Sequence, residues 1–192
     1  MARCLLALVL MAVVGPTWSQ TTSAKPAPRF GGAVQFELAT GGDEIESASK
    51  VNLGQGGTIS VGGFFRPVQG SLFEIQTFLG YKWGMFVPIA APGADPDVGR
   101  GVFQLLANYR NNDKWYVGGG LVVHLDPKYV SKLPSTPDVK FDTAAGALVE
   151  AGWSWIGVQC TYVKYHTNGF GTFDASNCGV RVTWRFRKWH PT

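Results

Sequence analysis

Charge is what this sequence has least of. Of 192 residues only 16% are Asp, Glu, Lys or Arg, where an ordinary soluble domain carries about a quarter. The basic excess is small, +4 over the whole chain, and scattered, so it gives no footprint for a nucleic acid. Histidine and cysteine are equally scarce, at three each. No Cys-x-x-Cys pattern occurs, which removes zinc-ribbon and dithiol-redox chemistry. Long apolar runs are missing too. Beyond the N-terminus nothing approaches the ~18 consecutive apolar residues of a spanning helix, so a polytopic helical membrane protein is excluded. No Gly-rich phosphate loop precedes a helical pattern. What the chain does have is 25 glycines and 13% aromatics. That aromatic content argues against disorder, and the absence of an Ala/Glu/Lys/Leu-dominated pattern argues against a coiled coil.

Residues 1–19 read as a secretory signal peptide. Arg3 supplies the positive start, Leu5 to Val14 the apolar stretch, and Gly15-Pro16 its end. Thr17-Trp18-Ser19 then places small residues at the −3 and −1 positions of a cleavage site. Cys4 leaves with the signal, and the exported chain keeps Cys160 and Cys178, an even number suited to an oxidising compartment. Residues 20–29 are expected to be a short periplasmic segment, 30–187 the folded body and 188–192 a C-terminal tail.

The body alternates at a period of two in eight places. The segments are Gly31 to Thr40, Thr58 to Arg66, Leu72 to Trp83, Val102 to Arg110, Lys114 to Leu125, Thr143 to Trp155, Gly157 to Tyr165 and Gly179 to Phe186. Most are longer than the ~5–6 residues of an ordinary strand and near the ~9–11 of a strand that crosses a bilayer at a tilt. Their links alternate in length. Pro67 to Gly70, Asn111 to Asp113 and a turn near Ile156 are short; Gly41 to Gly57, Gly84 to Gly101, Asp126 to Asp142 and His166 to Phe173 are long. Short periplasmic turns, longer external loops and an even strand number predict an eight-stranded antiparallel up-and-down transmembrane β-barrel with both termini in the periplasm.

Cost decides which face is which. A Lys or Arg near the bilayer midplane costs about 2–4 kcal/mol, so the apolar faces must point outward. Glu37, Arg66, Glu74, Lys82, Glu150, Arg181 and Arg185 then point into the lumen. An eight-stranded barrel is only wide enough to be filled by side chains, and buried charges there must be paired. Two readings stay open, a structural salt-bridge plug and a narrow polar pathway. Tyr81, Trp83, Tyr109, Trp115, Trp153 and Trp155 sit near strand ends on the outward parity, as an interfacial aromatic girdle does.

The segments Gly80 to Gly84, Gly118 to Lys128 and Asp174 to Phe186 resemble a group of small proteobacterial outer-membrane β-barrel proteins. Members of that group mostly lack an assigned biochemical role. The resemblance covers essentially the whole exported chain and implies fold and location rather than an activity. The last strand also resembles the outer-membrane assembly signal, with Gly179 followed by Val182, Trp184 and Phe186 at alternating positions. Such chains usually end at the aromatic residue, whereas this one continues through Arg187 to Thr192.

Candidate chemistry is sparse. His166, in Tyr165-His166-Thr167-Asn168-Gly169, faintly resembles the late strand of outer-membrane lipid A deacylases, whose His and Ser lie one residue apart. Here Thr167 is adjacent to His166, so on a strand the two point to opposite faces; Ser176 or Asp174 can join only through loop geometry. His124 faces inward as a lone histidine, which is not a zinc site. Asp95 and Asp97 lie in a Pro/Gly-rich loop and are expected to be solvated. Cys160 and Cys178 flank the last hairpin symmetrically about Gly169. They are placed either to form a cross-strand disulfide or to pack as two small apolar residues.

The expectation is therefore a non-enzymatic outer-membrane protein with a structural role or a role in interaction through its external loops. Its partners are outer-membrane lipids, lipopolysaccharide and, during insertion, the assembly machinery; no nucleic acid, cofactor or metal is implied. The alternatives are a narrow channel for small solutes, a lipid A-modifying enzyme centred on His166 and, more distantly, a soluble lipocalin-like barrel.

Overall fold

The computed structural model describes residues 30–45, 51–68, 71–84, 97–111, 114–130, 138–167 and 171–187. The signal peptide, the 20–29 segment, Asp95, Gly169 and the 188–192 tail lie outside the described residues. The described residues form thirteen strands: β1 (Phe30–Thr40), β2 (Glu44–Ile45), β3 (Val51–Asn52), β4 (Gly56–Phe65), β5 (Phe73–Trp83), β6 (Asp97–Asn111), β7 (Trp115–Val130), β8 (Val139–Lys140), β9 (Ala144–Trp153), β10 (Ile156–Tyr162), β11 (Lys164–Thr167), β12 (Gly171–Asp174) and β13 (Asn177–Arg187).

Eight of them, β1, β4, β5, β6, β7, β9, β10 and β13, pair antiparallel in chain order, and β13 returns to β1. The sheet is a closed up-and-down barrel with no free edge. The stagger follows from the register. Partner to partner, the path runs Phe30, Phe65, Ile75, Ala107, Gly119, Val149, Cys160, Cys178 and back to β1 at Thr40, ten residues from its start. Strand number and stagger together fix the tilt, at ~35–45° to the axis, and leave an interior that side chains fill.

Small and large inward residues alternate to make that interior fit. Gly118 on β7 faces Asn108 on β6, and a Cβ there would fall 1.6 Å from the Asn108 Oδ1. Gly152 and Gly157 make room for Tyr116, whose hydroxyl would lie 2.4 and 2.2 Å from a Cβ at those positions. The outside carries Leu79, Leu121, Val149, Val61 and Val158, each more than half exposed. On β7 the outward row runs from Trp115 to Leu125, a span of ten residue steps. At ~3.3 Å per residue and the tilt above, it rises about 23–27 Å along the axis, which matches the ~25 Å apolar band of a bilayer-spanning barrel.

Aromatics gather most densely at the short-turn end. Phe30 stacks on Phe65, and Phe73 meets Tyr109, which meets Trp115. Trp115 pairs with Trp153 across the strands, and Trp184 and Phe186 continue the ring on β13. Of the expected girdle, Tyr109, Trp115, Trp153 and Trp155 lie at this end, while Tyr81 and Trp83 lie at the loop end of β5.

Three boundaries differ from the sequence expectation, each for a local reason. The β9–β10 turn is Ser154-Trp155 rather than one near Ile156, because Ser154 adopts a left-handed backbone (φ 55°) that closes a two-residue hairpin. Trp155 is thus a turn residue. The β6–β7 hairpin runs well past the expected loop starts, with Asp97 itself in strand β6. An irregularity opposite Gly99 and Gly101, where Asp126 is left-handed (φ 46°), shifts the facing side so that Tyr129 rather than Lys128 is buried. The last hairpin breaks at Val163, and β11 and β12 continue it as a separate ribbon.

Candidate functional site

Among the described residues the polar interior concentrates charge, and it is arranged in layers. At the short-turn end Glu74 is the hub. Its Oε2 accepts from Arg66 Nε (3.0 Å) and Arg185 Nη1 (2.9 Å), and its Oε1 accepts from Gln76 Nε2 (2.7 Å) and Arg185 Nη2. Arg110 Nε lies 3.8 Å from the same carboxylate. The guanidiniums are also stacked, Arg110 over Tyr116 and Arg185 over Phe64.

At mid-barrel Glu150 pairs with Arg181 and accepts from Asn108 Nδ2 at 2.6 Å. Arg181 also donates to Gln159 Oε1 (2.9 Å), and the Gln159 amide donates to Glu37 Oε2 (3.3 Å). The Gln159 amide relays between Arg181 and Glu37, so hydrogen bonding runs from β9 across β10 and β13 to β1.

Nearer the loops, one inward row crosses four strands: Glu37, Thr58, Lys82 and Arg100 are successive register partners. Lys82 lies 3.8 Å from Glu37, and Arg100 Nη1 donates to the Leu53 carbonyl at 2.7 Å. Above this row the mouth is closed by apolar side chains from the loops. Leu53, Phe141, Val163, Tyr165 and Ala175 form one buried cluster with Val98 and Tyr129, and Phe173 packs on it. His124 is buried beneath it, with Nδ1 2.7 Å from the Tyr165 hydroxyl.

The seven charged residues read from the sequence are thus brought together in three layers. Arg100 and Arg110 join them, so the lumen holds Glu37, Glu74 and Glu150 against Lys82, Arg66, Arg100, Arg110, Arg181 and Arg185. Arg100 falls in a segment whose alternation is interrupted by Gly99 and Gly101, and it reads as loop. Arg110 has the inward parity of its strand and was signalled by that alone.

His166 is exposed on the β11–β12 ribbon. Its Nδ1 contacts the Thr172 hydroxyl (2.8 Å), its register partner across the ribbon. Thr167 instead donates to the Lys140 carbonyl, and the Ser176 hydroxyl accepts from Val163 N–H, so neither is delivered to the imidazole. Asp174 accepts from Ser176 N–H (2.8 Å), and its hydrogen bonds with Ser176 hold its carboxyl below the usual range. Cys160 and Cys178 are register partners and are disulfide-bonded on the outer face of the last two barrel strands. Among the described residues no group of three His, Cys, Asp or Glu is placed to hold a metal ion.

No protein-family model matches the sequence, and no curated protein matches it. Several solved structures do. The chain is similar to Neisserial surface protein A (11% identity, TM-score 0.46), covering 83% of this chain and 97% of that one. It is also similar to Ail, the attachment invasion locus protein of Yersinia pestis (9%, TM-score 0.45), over 81% and 97% of the two chains. A third is the N-terminal β-barrel domain of Pseudomonas aeruginosa OprF (13%, TM-score 0.34), over 79% and 97%.

Proposed function

We propose that this protein is a resident of the outer membrane whose lumen is a filled structural core and whose working surface is its external loops. The observation that carries this reading is the inversion of the barrel. Its inner face holds three carboxylates, six cations and their amide partners, nearly all buried, while its outer face is a belt of exposed Leu, Val, Ile and aromatic residues. A soluble barrel would expose the polar set and bury the apolar one. A bilayer reverses the preference, and closure satisfies every strand edge, as hydrocarbon requires. Lipids and lipopolysaccharide are then its surroundings, and β13, with Gly179, Val182, Trp184 and Phe186, is the strand presented to the assembly machinery.

The three polar layers and the apolar cap fill the axis, which favours a scaffold over a solute channel. Heat-modifiable migration on a gel and fractionation with the outer membrane test the location. Leu121→Arg sharpens that test. Leu121 is 61% exposed at mid-belt, so the change is harmless on a soluble barrel but costs about 2–4 kcal/mol in a bilayer. Unchanged stability in lipid vesicles would refute the membrane reading. Discrete conductance steps in planar bilayers would refute the filled lumen. Release of fatty acid from lipopolysaccharide, lost in His166→Ala, would refute the absence of catalysis.

A further inference from the structure

The outer half of the lumen is short of acceptors. In the row Glu37, Thr58, Lys82 and Arg100, two cations stand side by side on β5 and β6 with one carboxylate, and every member is at most 5% exposed. Arg100 is the most constrained of them. Nη1 is fixed on the Leu53 carbonyl, while Nε and Nη2, which form one whole edge of the guanidinium, have no hydrogen-bond partner. The Thr58 hydroxyl and the Gln35 amide nitrogen, also inward and buried, have none either. His124, two positions further along the inward face beside Val102, is committed to the Tyr165 hydroxyl.

Unmade hydrogen bonds on a buried cation are expensive, and a buried net charge more so. Three kinds of donor, namely a guanidinium edge, a hydroxyl and an amide, are left over in the lumen with a net positive charge, while the unpartnered groups on β6 and β7 that can accept, the Gln104 and Asn108 amide oxygens and the Tyr129 hydroxyl, are all neutral. The deficit is therefore in negative acceptors, which water, itself half donor, fills only in part. The edge formed by Nε and Nη2 is the fork with which arginine takes a single anion in bidentate fashion. Leu53 and Tyr165, both fully buried, cover the row from the loop side.

We propose that this row binds one small inorganic anion of halide size, seated on the free edge of Arg100 with Lys82 beside it and the Thr58 hydroxyl donating. The anion neutralises the outer lumen and ties β4, β5 and β6 to the turn between β3 and β4 through the Arg100–Leu53 bond. The site is occluded, so exchange requires the loops above it to open and is slow compared with a surface site.

Bromide is the probe. Crystals of the refolded mature chain grown in sodium bromide are expected to show one anomalous peak within hydrogen-bonding reach of Arg100 Nε and Nη2. In solution, the unfolding rate of the barrel in vesicles is expected to fall about tenfold as bromide replaces gluconate at constant ionic strength, a change equivalent to about 1.4 kcal/mol. Lys82→Met leaves Glu37 and Arg100 as a balanced pair, so this variant is expected to fold, to show no peak and to lose the bromide dependence. Anomalous peaks confined to the outer surface, a water refined in the site of both proteins, or equal bromide dependence in both would each overturn the proposal.

Discussion

Replacing Glu74 with Gln tests the lumen as a structural core at its most connected point. The carboxylate is 1% exposed and accepts from Arg66, from both terminal nitrogens of Arg185 and from Gln76, with Arg110 at 3.8 Å. The substitution keeps the shape but turns one acceptor oxygen into a donor. Because Arg185 spans both oxygens, either orientation of the new amide sets an N–H against an N–H. It also removes the negative charge that three guanidiniums share. Charge-assisted bonds are worth about 1.5–3 kcal/mol each, so the two to Arg185 and the one to Arg66 total about 4.5–9 kcal/mol. Arg185 keeps a side-chain exposure of 20%, which allows it to recover part of its loss from water. Removing one partner of a buried ion pair typically costs about 3–5 kcal/mol, and that is the expected loss here. It corresponds to about two to three and a half orders of magnitude in the folding equilibrium. Urea titration of the barrel refolded into lipid vesicles, followed by tryptophan fluorescence, measures it. Glu74→Gln combined with Arg185→Met removes one of the stranded cations and should recover a measurable part of the loss, a coupling that a double-mutant cycle reads directly. A loss below about 1 kcal/mol would refute the reasoning, since it would place Glu74 in a hydrated pathway and not in a dry core.

Four further outcomes follow from particular contacts. Intact mass of the mature chain should rise by the two hydrogens of one disulfide on reduction, and an unchanged mass would show that Cys160 and Cys178 are unbridged. Replacing both with Ala should cost about 3 kcal/mol if closure of the 18-residue loop is the main effect, seen first as faster proteolysis within residues 163–176. Gly152→Val drives a side chain into the Tyr116 hydroxyl, which a Cβ alone would meet at 2.4 Å. Overpacking of this kind costs about 1–3 kcal/mol or more, so wild-type stability in the vesicle titration would show that Tyr116 is free to move. Lys82→Met should leave the barrel heat-modifiable, because it removes one of two adjacent buried cations that stand against the single carboxylate of Glu37, and failure to refold would mean that the Lys82–Glu37 pair is indispensable.

Much of the architecture is written in local pattern. The period-two alternation and the strict exchange of short and long links specify an all-β, eight-stranded up-and-down barrel, because each strand can satisfy its backbone only by pairing with its neighbours in order. The inward side of Glu37, Glu74, Glu150 and Arg181 follows from parity alone, since a one-residue slip would move the whole set into the apolar belt. Parity fails where the chain departs from a regular strand. Asp126, left-handed beside a register irregularity, exchanges the faces of the last residues of β7. Ser154 ends β9 earlier than its alternation indicates, because a positive φ closes the turn regardless of the hydrophobic pattern.

The sequence by itself determined the closed, apolar-faced barrel, because that outcome depends on hydropathy at a period of two and on link length, both local quantities. Tertiary structure alone decided which charges meet. Glu74 on β5 gathers Arg66 from just past the end of β4, Arg110 from β6 and Arg185 from β13, and Arg100 reaches the Leu53 carbonyl 47 positions away. Those meetings depend on the ten-residue stagger and the tilt it sets, which exist only once β13 has closed on β1. The same closure brings Leu53, Phe141 and Tyr165 from three separate loops into one buried cluster over the mouth, which is the packing on which the proposal of a filled lumen rests.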